Sequence, residues 1–88
     1  MVRGKVVINN EVGLHARPAS IFVQETNKFQ AKVTLIKDGY EYDGKSIMSV
    51  LTMGAYKGSE IEIICEGEDE KVALESIIEF VEEELKSY

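Results

Sequence analysis

Cysteine, histidine and proline each occur once in these 88 residues. A single cysteine rules out an intramolecular disulfide. Cys65 lies in the apolar run that begins at Ile61, where it reads as a small core hydrophobe, and a reduced, cytoplasmic setting fits that usage. One histidine and one cysteine, far apart, fall short of the three or four ligands a zinc site takes, so neither metal nor cofactor is expected. No apolar run approaches the length of a membrane span. Met1 to Gly13 has no sustained apolar stretch of the kind a signal peptide needs. Positive charge is also scarce: ten Lys and Arg stand against sixteen Asp and Glu, a net charge of −6. That balance argues against a nucleic-acid partner and suits a diffusible protein. There is no nucleophile-elbow sequence that would make His15 the base of a hydrolase triad. Repeats, low-complexity tracts and linkers are missing too, so residues 1–88 read as one domain.

What is present is concentrated in Gly13-Leu14-His15-Ala16-Arg17-Pro18-Ala19-Ser20. Pro18 has a fixed φ and no N–H, which places it in the first turn of a helix. Ala19, Phe22, Val23, Thr26 and Phe29 then share one helical face, so the helix starts near Ala16 or Arg17 and runs to about Lys28. His15 falls at or just before its N-cap. The first amides of a helix have no helical acceptor and carry the positive end of the macrodipole, which favours phosphate. The backbone of Ala16 and Arg17 supplies those amides, and the Arg17 guanidinium adds a fork of donors. An imidazole nitrogen can attack phosphorus, and phosphoryl transfer needs mainly positioning and charge stabilisation. The segment contains no nucleotide cradle. It reads as a relay point rather than a complete enzyme.

Gly13-Leu14-His15-Ala16-Arg17-Pro18-Ala19 resembles the active-site signature of HPr, the histidine-containing phosphocarrier family of the bacterial phosphoenolpyruvate:sugar phosphotransferase system. The resemblance implies that His15 accepts a phosphoryl group from enzyme I on Nδ1 and passes it to sugar-specific enzyme IIA domains, with Arg17 stabilising the phosphoryl group. It implies a carrier with a transient phosphohistidine, and a monomer is the default.

Taken in order, Lys5–Ile8 reads as a strand, followed by the His15 helix and a strand over Lys32–Lys37. Asp38-Gly39 is a hairpin signal, and Tyr40-Glu41-Tyr42 makes a short third strand. Ile47 to Met53 is a short helix. Glu60 to Glu66 is the clearest strand, with Ile61, Ile63 and Cys65 facing the core. The last helix opens at Gly67-Glu68-Asp69-Glu70 and carries a buried stripe of Leu74, Ile77, Ile78, Val81 and Leu85. The order β-α-β-β-α-β-α predicts an α+β fold: a four-stranded antiparallel sheet with three helices on one face. The first two strands run the same way, so the last strand is expected between them. The family resemblance implies an open-faced β-sandwich of this kind.

Ser46 precedes the short helix and reads as its N-cap. Lys45-Ser46-Ile47-Met48 also resembles the run in HPr proteins of Gram-positive-type bacteria. There an HPr kinase/phosphorylase modifies the serine, and a catabolite-control transcription factor reads it. The implied regulatory site is Ser46. Ser49 stands where many members of that branch have glycine, and Tyr40-Glu41-Tyr42-Asp43-Gly44 differs from most of them. Val50 is expected to face the core. Ile47, Met48 and Leu51 are expected to form an exposed apolar partner surface beside His15. The alternative is a non-catalytic regulatory module acting mainly through phospho-Ser46. A ferredoxin-like sensor has only the generic βαβ pattern in its favour.

Overall fold

The computed structural model describes Met1–Tyr88. Its elements are β1 (Val2–Val7), α1 (Ala16–Thr26), β2 (Lys32–Lys37), β3 (Tyr40–Asp43), α2 (Ile47–Met53), β4 (Glu60–Glu66) and α3 (Glu70–Glu79). Beyond α3 the chain continues as a wider π-type turn over Phe80–Glu84 and a 3₁₀ turn over Leu85–Ser87. None of the helices is long and apolar enough to cross a membrane.

The strands follow from period-two alternation. In β4 the side chains of Ile61, Ile63 and Cys65 are buried while Glu60 and Glu66 are exposed. Val33 and Leu35 of β2 and Val6 of β1 point the same way. The sheet order is β1-β4-β2-β3, antiparallel throughout, so β4 lies between the two strands that run in the same direction. Asp38 and Gly39 join β2 to β3 with φ of 54° and 84°. Two positive φ values are what a two-residue type I′ hairpin requires.

The helices cover one face of this sheet. α1 buries Pro18, Ala19, Phe22 and Thr26. It packs against α2 and α3, while α3 lies over β1 and β4. The rings of Phe22 and Phe80 meet at 6.4 Å between centroids, tilted by 54°. Such a pair contributes about 0.5–1.5 kcal/mol beyond its buried area. Cys65 is fully buried, and burial pushes its thiol pKa up, with the carboxylates of Asp69 and Glu70 adding to the effect.

Three expectations need correction. β1 begins at Val2 rather than Lys5 and ends at Val7, because β4 offers a partner to every residue from Val2, opposite Cys65, to Val7, opposite Glu60. α1 ends at Thr26 rather than Lys28. There Asn27 Nδ2 donates back to the Val23 carbonyl oxygen at 2.9 Å and closes the helix. The buried stripe of the last helix is Ala73, Ile77, Phe80, Val81 and Leu85, with Leu74 and Ile78 only half-buried. Ala73, Ile77, Phe80 and Val81 stand at i, i+4, i+7 and i+8, one face of an ordinary helix, and the wider turn begins only at Phe80. Leu74 and Ile78 rest instead over Gly4 of β1, where a Cβ would lie 2.8 Å from Ile78 Cδ1.

The turn into α3 carries a contact that alternation does not reveal. The Asp69 carboxylate accepts from the amides of Gln30 at 2.9 Å and Ala31 at 2.8 Å. These two amides, Gln30 first, hold its carboxyl below the usual carboxylate range.

Candidate functional site

Leu14 is 4% exposed and His15, beside it, is exposed. Leu14 packs among Val6, Ile8, Phe22, Leu35 and Ile61. Burying a leucine side chain stabilises by about 1.5–3 kcal/mol, so this anchor fixes where the next residue leaves the core. His15 is the N-cap of α1, with φ −72° and ψ −177° and no side-chain cap bond. Its carbonyl oxygen accepts the first helical bond, from Ala19 N–H at 2.8 Å. Pro18 has no N–H to offer. The amides of Ala16 and Arg17 are therefore the helix-start donors left without an intrahelical acceptor, and they follow the imidazole directly.

A cleft of about 370 Å³ opens beside the ring, lined by Val12, Leu14, His15, Ala16, Leu51, Gly54, Ala55 and Tyr56. Its floor is a clasp between two loops. Leu14 N–H donates to the Ala55 carbonyl oxygen at 2.9 Å. Gly13 has φ +64°, and a Cβ there would lie 2.6 Å from both Ala55 O and Tyr56 Cα. Only glycine fits that approach. Lys37 Nζ sits 5.5 Å from the Tyr56 ring centroid.

Arg17 is exposed in the first turn of α1. Six of the other cationic side chains (Arg3, Lys5, Lys28, Lys37, Lys57 and Lys86) are in ion pairs, but Arg17 is in none. An unpaired guanidinium is available to an incoming anion. No cluster of three His, Cys, Asp or Glu side chains suited to a metal ion is brought together.

Ser46 caps α2, its Oγ accepting from Ser49 N–H at 3.2 Å. The approach to Ser46 is tied to the end of α1: Thr26 Oγ1 donates to Gly44 O at 2.7 Å and Asn27 Nδ2 to Lys45 O at 3.2 Å. Ser49 Oγ accepts from Asp43 N–H at 2.8 Å. The two stretches that depart from the Gram-positive pattern are thus joined by one hydrogen bond. Val50 is fully buried, while Ile47, Met48 and Leu51 are exposed by 37%, 69% and 37%. Leu51 lines the His15 cleft; Ile47 and Met48 lie elsewhere on α2 and do not. Val12 and Tyr56, both exposed apolar residues, line the cleft with Leu51. Sequence reasoning passed over them because neither belongs to a periodic segment.

The family model described as "PTS HPr component phosphorylation site" matches residues 2–83. This chain belongs to the HPr family. HPr proteins are the phosphocarriers of the sugar phosphotransferase system. One relative is the HPr-like protein Crh of Bacillus subtilis, 45% identical over 97% of this chain and all of that one. The crystal structure of that Crh, described as a dimer with a swapped domain, superposes with a TM-score of 0.76 over 96% of this chain and 97% of that chain, at 45% identity. The phosphocarrier protein HPr of Treponema pallidum is 44% identical over 88% of each chain. The crystal structure of HPr-C-His from Thermoanaerobacter tengcongensis superposes with a TM-score of 0.93 over the whole of this chain and 98% of that one, at 33% identity. The HPr fold is therefore the one found here, with the sheet and helix arrangement expected from the element order.

Proposed function

We propose that the protein is a phosphocarrier in which His15 takes a phosphoryl group from phospho-enzyme I and gives it to enzyme IIA domains, acting in the cytoplasm. A P–N bond forms at the His15 ring as the bond between phosphorus and enzyme I breaks. The same exchange runs onward to the acceptor, so the carrier is returned unchanged. The observation that carries this reading is the exposed His15 ring at the α1 N-cap, followed by the two unpaired amides of Ala16 and Arg17. Backbone donors and the free Arg17 guanidinium suit the charge that a phosphoryl group brings. Leu51, with Val12 and Tyr56, offers the apolar surface on which a partner docks around the ring.

A second reading has its own support. The 45% identity to an HPr-like protein and the position of Ser46 at an N-cap favour a regulatory module. There, phospho-Ser46, formed by an HPr kinase/phosphorylase, is read by a catabolite-control transcription factor. A phosphate at an N-cap meets the same orphan amides and dipole. The two roles are compatible in one chain.

Incubation with enzyme I, Mg²⁺ and phosphoenolpyruvate separates them. The carrier reading expects one added phosphoryl group, labile in acid and stable in base. His15→Ala is expected to abolish it with thermal melting unchanged, and Arg17→Ala to slow it without preventing enzyme I binding. A pure serine switch stays unmodified there and gains an acid-stable phosphate only from ATP and the kinase.

A further inference from the structure

We infer that Asn10 is the positioning residue of the His15 site: it sets the backbone that aims the ring and the Ala16 and Arg17 amides. The inference rests on His15 as phosphoacceptor. Asn10 is 1% exposed, and only Thr26 and Ser59 join it as buried polar residues. Its Nδ2 donates to the Gly13 carbonyl oxygen at 2.8 Å, and its own carbonyl oxygen accepts from Gly13 N–H at 3.3 Å. One residue thus holds both polar groups of Gly13. Gly13 leads into Leu14, whose amide is pinned on Ala55, and then into His15. His15 makes no side-chain cap bond, so its backbone must do the aiming.

Core stability does not account for Asn10. Its Oδ1 is buried and meets no donor. That orphaned oxygen offsets what the Nδ2–Gly13 bond contributes, although an apolar replacement would in turn strand the Gly13 carbonyl. What an apolar residue cannot do is hold the Gly13 carbonyl. What the residue returns is a fixed Gly13 peptide two residues ahead of the reacting ring. Misplacing a reacting group by about 1 Å costs up to roughly 100-fold in rate, which sets the scale of the effect.

The test uses the full chain and two variants. Asn10→Ala truncates the side chain; Asn10→Leu keeps its bulk, and with it the fold, while removing the donor. Each is measured for phosphoacceptance from enzyme I and for thermal melting. Each is also followed by NMR through the Ala16 and Arg17 amides during titration with inorganic phosphate. Ile77→Val, in the core under α3, serves as a control of comparable destabilisation. The expected result is acceptance slowed roughly 10- to 100-fold in both variants. The phosphate-induced shifts at Ala16 and Arg17 are expected to weaken, and melting to fall no further than in the control. Native acceptance rates with native amide shifts overturn the inference. So does a rate loss that the Ile77→Val control reproduces. If the native protein accepts no phosphoryl group but the variants still weaken the phosphate shifts, the phosphoacceptor reading fails and the positioning role stands.

Discussion

The Leu14 N–H donates to the Ala55 carbonyl oxygen at 2.9 Å, and through this bond the loop before α1 lies against the loop after α2. The second loop is itself held down. Gly58 N–H donates to Ile8 O at 2.7 Å, Ile8 N–H to Ser59 O at 2.9 Å, and Tyr56 N–H to Ser59 Oγ at 3.1 Å. The His15 site is therefore built by the end of β1, the α1 cap and the residues after α2 acting together. A helix end alone would leave the ring to swing freely.

Gly13→Ala tests the clasp. A left-handed φ costs a non-glycine residue about 1–2 kcal/mol. Here the new Cβ also meets Ala55 O and Tyr56 Cα at 2.6 Å, both backbone atoms that cannot step aside cheaply. The expected loss is more than about 2 kcal/mol in urea unfolding, with faster hydrogen exchange at the Leu14 amide. Native stability in this variant would show that the two loops are not tightly joined.

Thr26→Val tests the strap beneath Ser46. The hydroxyl of Thr26 is fully buried and donates to Gly44 O at 2.7 Å. Valine keeps the volume and strands that carbonyl, at a cost of about 1–3 kcal/mol. Amide exchange is expected to rise at Ser46 and Ser49, and phosphoacceptance at His15 to stay at the native rate. Loss of acceptance in proportion to stability would show that the two caps are mechanically linked through α1.

Asp69 gives the acid limb of stability. The amides of Gln30 and Ala31 hold its folded-state carboxyl below the ordinary value. A group with a depressed folded pKa contributes stability above its unfolded pKa, near 4 for aspartate. That contribution is lost as pH falls through the lower, folded value. Asp69→Asn is therefore expected to melt lower than the native protein at pH 7. The gap is expected to narrow below about pH 4. A gap that stays constant from neutral to acid pH would show that the carboxylate charge is not what binds the two amides.

Much of this was legible in the sequence, for identifiable reasons. β4 alternates cleanly, Asp38-Gly39 announces its turn, and Pro18 fixes where α1 starts, so strand order and the His15 N-cap follow directly. The missing parts depend on contacts between distant segments. Gly4 hides the start of β1 because a glycine adds nothing to alternation; its purpose appears only when Ile78 is seen lying over it. Phe80 lies seven residues after Ala73 and three after Ile77, and this face was passed over for the neighbouring one through Leu74 and Ile78, because only the packing over Gly4 shows which of the two is half-buried. Val12 and Tyr56 reach the His15 cleft by way of loops, and the Asn10–Gly13 bond forms inside one. The exposed His15 at its helix start could be read locally, whereas the contacts that hold the loop before it could not.

Ser46 allows stability and transfer to be pulled in opposite directions. Its Oγ accepts from Ser49 N–H, so Ser46→Ala removes the cap of α2 at a cost of about 0.5–2 kcal/mol. Ser46→Asp keeps an acceptor at the same place, and a carboxylate at a helix start gains about 0.3–1 kcal/mol from the dipole. Melting is therefore expected to fall in Ser46→Ala and to hold in Ser46→Asp. Acceptance from enzyme I should show the reverse order. α2 packs against α1, and Leu51 carries it to the His15 cleft. A new negative charge at its start works against an incoming phosphoryl group, whereas alanine adds no charge. If the effect is electrostatic, raising salt should restore the Ser46→Asp rate, since the screening length shrinks from about 10 Å at 0.1 M to about 3 Å at 1 M. Measuring melting temperature and initial acceptance rate for both variants at two ionic strengths decides it. A Ser46→Asp rate equal to native at low salt would remove Ser46 from control of this step. A rate that is slow at both salt concentrations would instead place the serine within the contact surface itself.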